Sequence, residues 1–377
     1  MSGKLSKCKV LLVTRNLEFG GVERRVALIA EFLDRDQFEA EVACLRNGGP
    51  YAEHLRSIGI PVHNLSVRSQ LNPIVMQRLK SLIRRGQYDL VDCHQTRANI
   101  WGTRAARAGG VKGILASNYL IKNWKNPLLR RLEIGGFRIA DRIVTDSRQL
   151  SEEISIRSGL PREKFATIPN GVPEPTVDGE EVDRLRRRFS LKKEHTVFGM
   201  VGRLVPYKGQ MLLLRAFNRV AEKIPFVRLL IVGKEGQTGY LAELQEFVAG
   251  NSLQKRVIIT EYSGNVHNVM SLMDVFVLPS SGESLPISIL ESLSLAKPVI
   301  ATDVGGVANA VREGFNGFLI PEKDERALAE RLLTLARDKG LRETFSRNSR
   351  ALYEKDYRLE NMIHRVQDLY LSICGGK

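Results

Sequence analysis

No stretch of this 377-residue chain approaches the roughly 18 to 20 apolar residues that cross a bilayer, and the apolar patch at residues 10–13 is far shorter than a signal-peptide core. A chain with neither is expected in the cytosol. Cysteine is scarce: the four, Cys8, Cys44, Cys93 and Cys374, form no C-x-x-C pair and no cluster with histidine, which argues against a disulfide framework and against a structural zinc site. They read as ordinary reduced thiols. The fingerprint G-x-G-x-x-G is also missing, so a dinucleotide site has no signature here.

Acid is in short supply relative to base, leaving a formal net charge of +15. The sign favours anionic partners, whether nucleotides, phospholipid surfaces or nucleic acid, without choosing among them. No recognisable nucleic-acid module accompanies the charge, so nucleic acid is not an expected partner. Residues 97–138 carry nine basic side chains and a single acid, Glu133. A run of that kind is ordinarily a solvated face, and it serves here only as a lead.

What is present organises itself into two halves. A chain this long exceeds what one core usually supports, which predicts two α/β domains. The first half alternates the apolar segments KVLLVT, FEAEVACL, DLVDCH, GILASN, DRIVTDS and KFATIPN with helical patterns such as Val22, Val26, Ile29 and Leu33. That alternation implies a parallel sheet with crossover helices. The pattern lapses in PNGVPEPTVDGEEVD, then resumes with HTVFGMVG, VRLLIVG, RVIITEY, DVFVLPS, PVIATDV and GFLIP. The expected division is a first domain at 1–175, a linker at 176–192, a second domain at 193–358 and a closing helix at 359–377, able to pack back on the first domain. Ligands belong at the C-terminal ends of the strands, in a cleft between two such sheets.

The most informative segment is ESLPISILE, where Glu283 lies in a small-residue loop and Glu291 inside the helix that follows, with Pro286 in its first turn. The amides opening that helix form an anion site between the two acids. A ligand with hydroxyls at each end and phosphates between them, such as a nucleotide sugar, fits that arrangement. Arg203 and Lys208 stand in GMVGRLVPYKGQ, just past a strand and just before a helix. A bidentate guanidinium beside a mobile ammonium suits a pyrophosphate, and Gly202 and Gly209 let backbone come close. Gly20 and Gly21 precede the helix VERRVALIAEFL, where glycine again admits a phosphate, or simply makes a turn. His94 ends the strand DLVDCH, with Asp92 and Gln95 as neighbouring alternatives; a lone histidine is more often structural than functional. Trp101 and Trp124 read as packing residues. Paired carboxylates also invite a glycosidase reading, but these two flank a helix N-terminus downstream of a basic loop, a phosphate-binding setting.

Taken together, GGVERR, DLVDCHQTRANIWG, DRIVTDSRQLSEEISIRSGLPREKFATIPNGV, VGRLVPYKGQ, DVFVLPSSGESLPISILESLSLAKPVIATDVGG and GFNGFLIP resemble the retaining glycosyltransferases of family 4. The resemblance implies the GT-B fold, in which two Rossmann-like, doubly wound domains face each other across a cleft. It implies that Arg203 and Lys208 grip the donor diphosphate, where charge grows as the nucleotide leaves. Glu283 would bond hydroxyls of the donor sugar, with the amides of Ser284 and Leu285 near the phosphate and Glu291 on the ribose. Gly21, beside Gly20, would approach the phosphates, with Gly202 also on the donor side, and His94 would face the sugar. No metal, cofactor or enzyme nucleophile is then expected. Three departures stand out: Asp92 where a first histidine is common, Glu261 where a glycine is common near the expected base, and Arg25 where an apolar residue is common. Arg25, Asp92 and Asn118 are the acceptor-side candidates.

The expected activity is transfer of a hexose or N-acetylhexosamine from a UDP-sugar, or secondarily a GDP-sugar, to a cell-surface glycan or lipid-linked acceptor. The basic run and the pattern at residues 73–85, PIVMQRLKSLIRR, raise a peripheral contact with an anionic membrane, against an ordinary crossover helix. The alternatives are a nucleotide-sugar epimerase on the same fold and a non-enzymatic sugar-nucleotide binding protein.

Overall fold

The computed structural model describes residues 7–66, 74–119 and 124–375. The chain divides into two compact units, Met1–Asn170 with Glu360–Lys377, and Gly171–Leu359.

The first unit is built on seven parallel strands: β1 (Cys8–Thr14), β2 (Phe38–Cys44), β3 (Val62–Asn64), β4 (Leu90–His94), β5 (Gly113–Ser117), β6 (Arg142–Thr145) and β7 (Phe165–Thr167). Their order is β3-β2-β1-β4-β5-β6-β7. The central strands are apolar along nearly their whole length because helices cover both faces, and Val10 through Val13 have no exposed surface. Local chemistry sets the helix ends. Asn126 accepts from the amides of Leu128 and Leu129 to open Pro127–Ile139, and Gly159, at φ 68°, closes Arg148–Ser158.

The helix Ile74–Gly86 turns Val75, Leu79 and Ile83 into the core of this unit. Its apolar stripe is therefore spent on packing, as in an ordinary crossover helix. Pro73, which opens the pattern, lies outside the described residues. No helix among the described residues is long and apolar enough to cross a membrane.

The second unit carries six parallel strands: β8 (Thr196–Val201), β9 (Val227–Val232), β10 (Val257–Thr260), β11 (Val275–Leu278), β12 (Val299–Thr302) and β13 (Gly317–Ile320). The order β10-β9-β8-β11-β12-β13 repeats that of the first unit with its outermost strand removed. In each unit the crossovers reverse direction beside the first strand, at β1/β4 and at β8/β11, which is where doubly wound sheets hold ligands.

Two expectations are corrected. The stretch assigned to a linker at 176–192 contains the helix Gly179–Arg188, which belongs to the second unit. Asp178 caps it by accepting from the amides of Glu180 and Glu181, three arginines occupy its last turn, and Leu185 enters the core. Acids and glycine that looked like linker composition are a cap and a first turn suited to the helix dipole. The cysteines are not all separate thiols, because a disulfide joins Cys8 to Cys374, with Cα atoms 6.6 Å apart across 366 residues of chain. That proximity arises because the helix Leu359–Cys374 returns to the first unit, burying Met362, Ile363, Val366 and Tyr370. The backbone amide of Asp34 donates to Gln367 at 3.1 Å on the same helix.

Candidate active site

The second unit gathers most of the predicted site at the ends of β8 and β11. Past β8 the chain passes through Gly202 and Arg203, forms one tight turn at Pro206–Lys208, and enters the helix Gln210–Ala221 through Gly209. Gly209 has φ 82°, and a Cβ there would run into the carbonyl of Pro279, at the end of β11. Only glycine makes that passage without strain. Gln210 is fully buried and donates from Nε2 to the Arg203 carbonyl at 2.8 Å, closing the loop on itself. The Arg203 side chain stays exposed and bonds the Tyr207 hydroxyl at 3.2 Å.

The loop after β11 is fastened to this turn. The Ser281 amide donates to the Tyr207 carbonyl at 2.8 Å, and Lys208 Nζ donates to Glu283 Oε1 at 2.6 Å. The two side chains are only 16% and 11% exposed, so their attraction is screened much less than that of a surface ion pair. A third loop, after β12, supports the second: the Gly306 amide donates to the Ser284 carbonyl at 2.7 Å. Gly305, at φ 55°, lies so close that a Cβ would meet the Glu283 carbonyl.

The helix Ile287–Ser294 begins at Pro286 with no side-chain cap. Pro286 is therefore the cap position and not part of the first turn. Glu291 sits on the buried side of this helix at 4% exposure, and Leu285, ahead of the helix, is buried at 3%. A cation–carboxylate pair thus stands ahead of a helix start, with the exposed Arg203 guanidinium on the turn that the Glu283 loop is fastened to, a setting chemically suited to a phosphate flanked by hydroxyl-bearing groups. Among the described residues no cluster of three or more histidine, cysteine or acidic side chains could hold a metal ion.

In the first unit the sequence candidates part ways. Gly20 precedes the helix Gly21–Phe32 with extended backbone and no side-chain cap, and a Cβ on it would strike the carboxylate of Glu23. Gly21 is exposed. His94 is not: it is 1% exposed, its Nδ1 lies 3.0 Å from the Tyr119 hydroxyl, and its Nε2 lies 3.2 Å from Asp92 Oδ2, at ion-pair distance but off the hydrogen-bond line. The imidazole is held in the interior.

The three acceptor-side candidates are buried as well. Asp92 is buried, accepting from the hydroxyls of Ser117 at 3.1 Å and Tyr370 at 2.7 Å. Burial works against its charge, yet His94 and these two hydroxyls outweigh burial and hold the carboxyl below its ordinary range. Arg25 is 2% exposed, donates to Asn170 Oδ1 at 2.7 Å and lies 5.2 Å over the Tyr119 ring. Asn118 donates to Glu133 at 2.8 Å, beside Asn99 at 2.9 Å and the Trp124 indole at 2.9 Å. Burial pushes the Glu133 carboxyl up despite these donors. Each of the three has an interior partner, although Arg25 keeps Nε and Nη2 buried without one.

Sequence reasoning missed Gln210 and Tyr207, which brace the Arg203–Lys208 turn, and left Gly305 and Gly306 unassigned although a glycine pair directly after a strand is a readable signal. Tyr370 had only its helical spacing as a signal, and its partner Asp92 is 278 residues away.

Two doubly wound parallel sheets, each in its own unit, are the architecture of GT-B glycosyltransferases. The description of glycosyl transferases group 1 matches residues 181–352, and that of glycosyltransferase family 4 matches residues 19–174. The chain belongs to the family 4, group 1 glycosyltransferases. It is 27% identical, over the full length of both chains, to the UDP-Gal:alpha-D-GlcNAc-diphosphoundecaprenol alpha-1,3-galactosyltransferase of Escherichia coli. It is 26% identical to the capsular polysaccharide biosynthesis glycosyltransferase CapM of Staphylococcus aureus, over 74% of this chain and 76% of that one. Among solved structures, HepE of Anabaena in complex with UDP superposes with a TM-score of 0.85 at 22% identity, covering 97% of this chain and 100% of HepE. The chain is a GT-B glycosyltransferase of glycan or lipid-linked saccharide biosynthesis.

Proposed function

We propose that this enzyme transfers a hexose or N-acetylhexosamine from a UDP-sugar to a saccharide carried on a lipid diphosphate, with retention of anomeric configuration and without a metal. The observation that carries the reading is the Lys208–Glu283 contact at 2.6 Å, which puts a phosphate-seeking cation and a hydroxyl-seeking carboxylate within one ligand's length. UDP rather than GDP is supported by the UDP-galactose in the name of the Escherichia coli relative and by the UDP bound to HepE. The lipid diphosphate is supported by the acceptor in that relative's name.

In this reading Arg203 and Lys208 hold the diphosphate and meet the charge that builds on it as the glycosidic bond breaks. Lys208, fixed in a partly desolvated position, acts most strongly there, and the exposed Arg203 adds a second cation. Glu283 orients the sugar through its hydroxyls, Glu291 takes the ribose, Gly202 leaves room for the nucleotide, and the backbone at Ser284 and Leu285 borders the phosphate. The leaving phosphate oxygen receives the acceptor proton, so no enzyme base is required. Gly20 and Gly21 approach the phosphates, and His94 acts from beneath the surface by holding the strand end in place. The reaction is set at the inner face of the cytoplasmic membrane, where a lipid-linked acceptor meets a cytoplasmic nucleotide sugar.

The deciding experiment scores a panel of nucleotide sugars for release of free nucleoside diphosphate, with and without membrane extract. Extract-dependent turnover of one UDP-sugar, insensitive to chelator, is expected. Interconversion of the nucleotide sugar without transfer, or an inverted anomeric centre in the product, would sink the reading.

A further inference from the structure

Three arginines of the first unit stand at the ends of three neighbouring strands. Arg15 directly follows β1, Arg46 comes shortly after β2, and Arg97 is the second residue of the helix Thr96–Gly109 that follows β4. Because β1 lies between the other two, with Thr14 opposite Cys44 and Val13 opposite Cys93, all three leave the same edge of the sheet. The Arg46 amide donates to the Arg15 carbonyl at 2.9 Å, which sets those two side by side.

What marks this group is the lack of any counter-charge. All three residues are half-buried, Arg15 Nε is buried without a partner, and within the described residues none of the three side chains makes a hydrogen bond or ion pair. The nearby carboxylate of Glu23 accepts instead from Gln95, at 3.1 Å. Burial first, then Arg15 and Arg46, bring Arg97 down to about 10, with no acid acting in the other direction. It stays protonated at neutral pH, so three like charges sit together, partly withdrawn from water. Other arginines of similar burial are satisfied: Arg104 donates to carbonyls, and Arg350 pairs with Glu174 and Glu354.

Such a cluster repels itself and is relieved by a multivalent anion. Guanidinium forks match phosphate oxygens bidentately, and three of them suit two adjacent phosphates. We propose that Arg15, Arg46 and Arg97 form the site that binds the diphosphate of the acceptor, distinct from the donor diphosphate held by Arg203 and Lys208. This rests on the lipid-diphosphate reading above, and it supplies the acceptor contact that Arg25, Asp92 and Asn118, all interior, do not.

The test is a calorimetric titration of the full chain, saturated with UDP to fill the donor site, using farnesyl diphosphate, inorganic pyrophosphate and farnesol. Both diphosphates are expected to bind and farnesol not to. Arg15→Gln, Arg46→Gln and Arg97→Gln should each weaken binding about tenfold, and Arg46→Lys less. Affinity should fall as salt rises. A variant whose far-ultraviolet circular dichroism matches the parent counts as folded, which keeps Arg46→Gln decisive should Arg97→Gln fail to fold. Unchanged affinity in the triple variant overturns the proposal. So does binding to phosphatidylglycerol vesicles through these arginines with no binding of either diphosphate, which would make them a membrane contact. Because the readout is binding, a chain with no transferase activity would overturn the proposed function while leaving this site standing or falling on its own result.

Discussion

Lys208 and Glu283 are bonded to each other at 2.6 Å, tying the turn after β8 to the loop after β11 while both side chains are largely withdrawn from water. The pair therefore does structural work before any ligand arrives. Lys208→Ala and Glu283→Gln should each lower stability by about 1–3 kcal/mol, because the remaining group keeps its desolvation cost without its partner. The double variant should cost less than the sum of the two. Urea unfolding measures this coupling, and additive losses would mean the contact does not form in solution. In turnover, each single substitution should lower kcat by about 100-fold or more. Intact turnover in both would remove the pair from the active site.

Gly209 and Gly305 combine a left-handed backbone with a carbonyl where a Cβ would go, whereas Gly239 has φ 86° and open space around it. Gly239→Ala should cost about 1 kcal/mol from conformation alone. Gly209→Ala and Gly305→Ala should cost clearly more and lower donor affinity, because the loops carrying Lys208 and Glu283 must move. Thermal melts and UDP titrations of the three variants provide the ranking; equal losses at all three would contradict the crowding.

Asp92 gives a pH dependence with a definite sign. Its folded carboxyl lies below the ordinary range, so the stability it adds is complete above its unfolded value of about 3.9 and is lost as pH falls through the lower folded value. Asp92→Asn should therefore be less stable than the parent at neutral pH, with the gap narrowing toward strong acid. Tyr370→Phe, which removes one donor to that carboxylate, should cost about 1–3 kcal/mol and move the acid limb of the stability curve to higher pH. Denaturant midpoints collected across the acid range test both, and parallel curves for parent and Asp92→Asn would refute the assignment.

The helix Gly179–Arg188 makes a stretch of linker-like composition part of a folded unit. Leu185→Ala should destabilise by about 2–5 kcal/mol, and Asp178→Ala, which removes the cap, by about 1 kcal/mol. A true linker would show neither loss in chemical unfolding.

The loops of the proposed donor site were legible in the sequence because their parts are local. A strand, a short loop and a helix start lie within a dozen residues in both GMVGRLVPYKGQ and DVFVLPSSGESLPISILE, and the order of residue types already shows which groups flank which helix end. The burial of the acceptor-side candidates was illegible for the opposite reason. Arg25, Asp92 and Asn118 each looked like a polar group near a strand end, and whether such a group faces outward or inward depends on a partner far away in the chain: Asn170 for Arg25, Tyr370 for Asp92, Glu133 for Asn118.

The sequence by itself determined the family, the two parallel sheets and the segments that hold Arg203, Lys208, Glu283 and Glu291, since apolar periodicity, glycine placement and helix starts are properties of neighbouring residues. Only the tertiary structure decided that Lys208 and Glu283 touch, that His94 is buried against Asp92 and Tyr119, that Cys374 returns to Cys8, and that Arg15, Arg46 and Arg97 leave one sheet edge together without a counter-ion among the described residues. These are facts of strand order and of burial. Parallel strands drawn from distant segments put their ends side by side, and the low polarity of the interior then fixes which charges must be paired inside and which stay at the strand ends.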